Sequence, residues 1–190
     1  MTGVQTCALP ILSLALTVLA QATGAQAGAA TPAEPKRPPI VIQSASSGPV
    51  TVHYLNVPWG PNTFAAMEKP GDSFYNKRRW PFARLETTKA LTLEGTSIPA
   101  GNYALVFHPN SPDDAGMSLE VRRIAVPEFL QAGNVMTAAP EGEPVWKGPV
   151  HFAVSPETLP ALGIELLREG AGVNLTVRYG DRRLVVVLKD

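Results

Sequence analysis

Val173-Asn174-Leu175-Thr176-Val177-Arg178-Tyr179-Gly180-Asp181-Arg182-Arg183-Leu184-Val185-Val186-Val187-Leu188 is the stretch that decides the fold. Val173, Leu175, Val177 and Tyr179 fall on one face of an extended chain, and Asn174, Thr176 and Arg178 on the other. That is the period-2 pattern of a half-buried strand. Gly180-Asp181 then offers a two-residue turn into Leu184–Leu188, which is apolar on both faces. The reading is a β-hairpin at the middle of the structure.

Working outward, Tyr103, Leu105 and Phe107 alternate in the same way behind the turn Pro99-Ala100-Gly101-Asn102. Leu85–Leu93 pairs with them across that turn. Leu119 with Val121, and Val150 with Phe152 and Val154, make further strands. Val50–Val57 is a mixed apolar run, expected to be buried on both sides. Two segments carry helical signals. Pro127–Gln131 is stopped by Gly133, and Ser155-Pro156-Glu157-Thr158-Leu159 has an N-cap, an N1 proline and an acidic first turn. Seven or eight short strands joined by Pro/Gly turns predict an all-β antiparallel sandwich, with a partly closed barrel as the alternative. Nineteen prolines and sixteen glycines agree with a turn-rich β protein.

The N-terminus reads differently. Residues 1–27 contain no charged residue, and Leu12–Ala20 is a short apolar run followed by Ala25-Gln26-Ala27, the small-x-small pattern of a signal-peptidase site. The expectation is export to the periplasm or beyond. No stretch after it reaches the roughly 18 apolar residues of a membrane span. Residues 28–39 are Ala- and Pro-rich and read as a linker, leaving 40–190 as one domain. Met-Thr-Gly-Val-Gln-Thr-Cys-Ala-Leu-Pro-Ile, residues 1–11, resembles a translated sequencing adapter, the mark of a metagenomic read, which would account for a signal lacking its basic start. Cys7, the only cysteine, lies inside that string, so the domain has neither disulfide nor thiol nucleophile.

The residues that carry chemistry are sparse. Sixteen Lys and Arg balance sixteen Asp and Glu, so no long-range field gathers nucleic acid. His53, His108 and His151 each fall in an expected strand, but none forms the i, i+2 pair with which a strand-borne metal site begins. No cofactor or metal is expected. Gly71-Asp72-Ser73 reads as part of a turn, without the Gly-x-Ser-x-Gly elbow of a serine nucleophile. Glu86 lies mid-strand with Arg84 two residues before it on the same face, which reads first as a structural Arg–Glu pair and second as a general acid or base. Phe74–Arg84 stands out most, with four rings (Phe74, Tyr75, Trp80, Phe82), four cations (Lys77, Arg78, Arg79, Arg84) and no acid. Rings beside cations stack on sugars or clamp carboxylates and phosphates. The candidate ligand-binding residues are therefore Trp59, Arg78, Arg79, Trp80 and Arg84. The competing expectation sends the rings into the core and the cations into water.

Pro99-Ala100-Gly101-Asn102-Tyr103-Ala104-Leu105 is also a motif in its own right. With it, the stretch from Ser47 to Asp190 resembles a bacterial family of domains of unknown function, number twenty-nine-eleven. The family's middle box, Trp-Arg followed by Asn-Glu-Ala-Thr, is altered here to Arg79-Trp80 and Leu85-Glu86-Thr87-Thr88. The resemblance implies an exported β-sandwich and no assigned reaction. Three functions follow: a non-catalytic module binding a small anionic or glycan ligand or an envelope protein, a hydrolase of carbohydrate or ester, or a purely structural accessory domain. A surface combining rings and cations favours the first, and a pocket with two carboxylates the second.

Overall fold

The structure is a computed structural model, and it describes residues 39–60, 64, 79–111, 114–125 and 140–190. Among these residues ten strands run in sequence order: β1 Ile42–Ser47, β2 Val50–Leu55, β3 Trp80–Thr87, β4 Leu91–Leu93, β5 Thr96–Ile98, β6 Gly101–Ser111, β7 Asp114–Arg123, β8 Trp146–Val150, β9 Ala153–Glu169 and β10 Gly172–Lys189. They form a six-stranded sheet ordered β1-β2-β3-β6-β7-β8 and a four-stranded sheet ordered β5-β4-β10-β9, antiparallel throughout. The two sheets stay separate, so the all-β sandwich is the architecture and the barrel is not.

Alternation builds the core. Tyr103, Leu105 and Phe107 of β6, Leu119 and Val121 of β7, and Leu85 of β3 face inward from the larger sheet. Val173, Leu175, Val177, Leu184, Val186 and Leu188 meet them from the smaller one in a single buried cluster. Each such side chain contributes about 1.5–3 kcal/mol when fully removed from water.

The decisive stretch lies wholly within β10. An unbent strand of 18 residues would span about 60 Å. Instead the amide of Asp190 donates to the carbonyl of Ala171 at 3.0 Å, and a Cβ at Gly172 would lie 3.0 Å from the Leu188 carbonyl oxygen. β10 therefore folds back on itself, as expected, at Gly180, whose φ of 59° is the left-handed conformation a tight turn needs. Its first arm pairs with β9 (Leu175 opposite Leu166) and its second reaches β4 (Lys189 opposite Thr92). Only one face of the second arm is covered: Val185 and Val187 remain 42% and 47% exposed.

Several expectations require correction. Ser155–Leu159 is not helical but the start of β9. Neighbouring extended chain claims this stretch: Leu159 pairs with Gly180 and Val154 with Arg182 of β10, and Glu157 reaches across to Arg178. Leu85–Leu93 is two strands, because the chain leaves the larger sheet after Thr87 and enters the smaller one at Leu91. Val150–Val154 divides in the same manner between β8 and β9, which leaves His151 outside any strand. Val50–Leu55 buries one face, that of Val50 and Val52, and not both. The turn at Pro127–Gln131, the N-terminal segment 1–27 and the linker as far as residue 38 lie outside the described residues.

The Pro99–Leu105 motif now has a physical explanation. Tyr103 is fully buried and its hydroxyl donates to the Pro99 carbonyl at 2.6 Å. This is the tyrosine corner of β-sandwiches, a ring that locks a strand entry to the backbone just upstream. Burial pushes its phenol pKa up, against the opposing charge of Arg123. Gly101 has φ 153° and sits under that hydroxyl, where a Cβ would lie 3.6 Å from it. The motif fixes the fold where the chain returns to the larger sheet.

Candidate functional site

Alternation that sends Leu119 and Val121 inward sends Ser118, Glu120 and Arg122 to the outer face of the larger sheet. That face is covered here: Glu120 is 2% exposed, Arg122 2%, and Ala104 and Val106 of the neighbouring strand 0%. A carboxylate this deep requires partners, and the described residues supply three. Arg122 Nε donates to Glu120 Oε2 at 2.7 Å, Lys147 Nζ lies 3.4 Å from Oε1, and Arg79 Nε lies 3.8 Å from Oε2. β8 supplies Lys147 because it stands directly opposite Glu120 in the ladder. Arg122 is held from behind as well, donating to the carbonyls of Pro140 (3.0 Å) and Gly142.

Burial alone would raise the Glu120 pKa. The hydrogen bond and charge of Arg122, then Lys147, outweigh it and hold the carboxyl below the usual carboxylate value. His108 lies one diagonal step away, opposite Ser118. Burial lowers its pKa first, Lys147 and Arg79 lower it further, and Glu120 opposes them, so its ring is neutral near pH 7. The adjoining Pro109 backbone gives the ring a weak favourable contact. No hydrogen bond of good geometry reaches the buried Nδ1 from the described residues. Among the described residues the cluster thus holds three cations against one carboxylate. Two of them, Arg79 and Lys147, have side chains 45% and 46% exposed.

The residues singled out in the sequence are distributed by the sheet. Arg79 belongs to this cluster. Arg84 lies on the same outer face, buried, opposite His53 on one side and Ala104 on the other. Two residues on, Glu86 is half-buried with Thr51 and Asn102 as its cross-strand neighbours. Among the described residues Arg84 and Glu86 form no ion pair. The buried Arg–carboxylate pair at i, i+2 is Glu120–Arg122 instead.

Trp80 begins β3 opposite Phe107, half-buried against the core, and Phe82 stacks on Phe107 with ring centroids 4.1 Å apart. Rings therefore turn inward from this strand and cations outward. Trp59 packs elsewhere, against Tyr179 (5.3 Å) and Phe64 (5.7 Å), with its ring filling the space beside Gly180. Arg78, with Phe74, Tyr75 and Lys77, lies outside the described residues. Among the described residues no three His, Cys, Asp or Glu side chains gather as a metal site would, and no helix is long and apolar enough to cross a membrane.

The fold and this cluster place the chain in a class: an antiparallel β-sandwich with a buried, cation-rich centre on the outer face of its larger sheet. Compared with protein-family models, curated proteins and solved structures, the chain matches none.

Proposed function

We propose that the protein is a non-catalytic exported module that captures a small anionic ligand, a glycan or an envelope protein through the outer face of its larger sheet. The observation that carries this reading is the gathering of Arg79, Lys147 and Arg122 on Glu120 among the described residues, with Arg79 and Lys147 half in solvent. Both outer cations keep contact with water, so they stay accessible to an incoming anion. The reading of export rests on the N-terminal segment, and membership of the twenty-nine-eleven family on the Pro99–Leu105 motif and its surroundings. A hydrolase built on Glu86 gains no support from its neighbours Thr51 and Asn102, neither of which is an acid.

Screening the full chain on glycan and anion arrays tests the proposal. Capture that is lost in Arg79→Ala, with an unchanged denaturant midpoint, is the expected result. An unmutated chain that captures nothing on either array, and nothing from solubilised envelope proteins passed over it, refutes the proposal and leaves a structural accessory role.

A further inference from the structure

We propose that Arg79, Lys147 and His108 form a subsite for a tetrahedral oxoanion, the phosphoryl or sulfate group of a larger ligand. The inference rests on the binding reading above and narrows it to one ligand chemistry. Three observations support it.

First, Glu120 does not exhaust its cations. Arg122 takes its short hydrogen bond, whereas Lys147 at 3.4 Å makes only a long one and Arg79 at 3.8 Å lies beyond hydrogen-bond length. An ammonium has three donors and a guanidinium five, so both keep N–H groups for something else. Second, these two cations are held apart by the carboxylate they share, which spaces them instead of letting them drift. Glu120 acts here as a positioning residue, fixed in turn by Arg122 and the carbonyls of Pro140 and Gly142. Third, His108 brings a neutral ring to the same corner, about 7–8 Å from Glu120 along the sheet diagonal. A neutral imidazole carries one N–H donor and one acceptor, and the buried Nδ1 has no hydrogen bond from the described residues. An oxoanion between Arg79 and Lys147 would accept from both cations, with the His108 ring beside it to donate once its N–H turns from the Pro109 backbone. Charge-assisted bonds of this kind are about twice as strong as neutral ones.

The test uses the full chain, 15N-labelled, at low ionic strength, titrated separately with inorganic phosphate and inorganic sulfate. A third arm measures retention on phosphatidylglycerol vesicles against phosphatidylcholine vesicles. The expected result is saturable one-site binding that moves the His108 ring 15N resonances and weakens about tenfold or more in Arg79→Ala and in Lys147→Ala. Both side chains are half exposed, so both variants should keep the wild-type denaturant midpoint. Arg183→Ala, an exposed cation on the other sheet, should bind as wild type. Saturation by the free anions assigns a soluble ligand, and retention on anionic vesicles alone assigns a lipid headgroup. Failure to saturate in all three arms overturns the subsite, as does undiminished binding by an Arg79→Ala/Lys147→Ala double variant. If the full chain instead captures a neutral glycan and Arg79→Ala abolishes it, the binding face stands and the oxoanion subsite falls.

Discussion

Replacing Glu120 by Ala should be among the most destabilising single changes on the larger sheet. Glu120 and Arg122 are 2% exposed each and joined at 2.7 Å. Removing one partner of such a pair leaves the other charge buried, at about 3–5 kcal/mol. Arg122 retains the carbonyls of Pro140 and Gly142 as acceptors, which puts the expected loss near about 3 kcal/mol. For a domain of this size that lowers Tm by roughly 6–12 °C. Denaturant unfolding followed by circular dichroism at pH 7 gives the difference. The variant Glu120→Ala/Arg122→Met should recover much of it, since an apolar pair often replaces a buried ion pair at little cost. The same site sets a pH dependence. The Glu120 pKa is depressed in the folded protein, so its stabilisation is present above the unfolded pKa, near 4.5, and disappears as pH falls through the folded value. The gap between wild type and Glu120→Gln should therefore close below pH 4.5. A loss under about 1 kcal/mol for Glu120→Ala, or a gap with no pH dependence in that range, would refute the reasoning.

Other substitutions test the frame around the site. Tyr103→Phe removes the hydroxyl that donates to Pro99 and should cost about 0.5–1.5 kcal/mol, read as a shift in denaturant midpoint. Gly180→Ala places a methyl group at φ 59° and 2.3 Å from the Trp59 ring, and should cost more than the roughly 1 kcal/mol of backbone strain alone. Equal stability of that variant would mean the hairpin turns elsewhere. Trp80→Ala should lose stability by about 3 kcal/mol, because the ring packs on the core. If it instead weakens array capture and leaves the midpoint unchanged, the ring belongs to the binding surface.

The fold was legible wherever a strand buries one face. Val173–Tyr179, Tyr103–Phe107 and Leu119–Val121 all show the alternation that their sheets require. Legibility failed where the chain changes sheets. Between Thr87 and Leu91 lie only Thr88, Lys89 and Ala90, and between Val150 and Ala153 only His151 and Phe152, crossings too short and too free of Gly or Pro to mark a break, so each run concealed two strands. Ser155–Leu159 has local helix chemistry that was overruled by its place in the ladder with β10, where Leu159 stands opposite Gly180 and Glu157 meets Arg178, a pairing between distant segments that no local window registers. The candidate site was half legible. Arg79 and Arg84 stood out by composition, yet the carboxylate that organises Arg79 was hidden at Glu120. Its i, i+2 spacing to Arg122 was visible in the sequence. An outward position on a strand ordinarily meets water, and nothing local shows that this outer face is covered. Trp80 shows the converse, since interleaving rings and cations in sequence places them on opposite faces of a strand as readily as on one surface.

The central claim is that the Glu120 cluster is a binding surface and more than an internal support. It is tested most directly by capturing wild type and Arg79→Ala/Lys147→Ala side by side on the same anion and glycan arrays, with the denaturant midpoint of each measured in parallel. The account predicts capture by the wild type, its loss in the double variant, and midpoints within about 0.5 kcal/mol of each other, as for exposed substitutions. Equal capture by both proteins, or a double variant that loses stability and binding together, would contradict it.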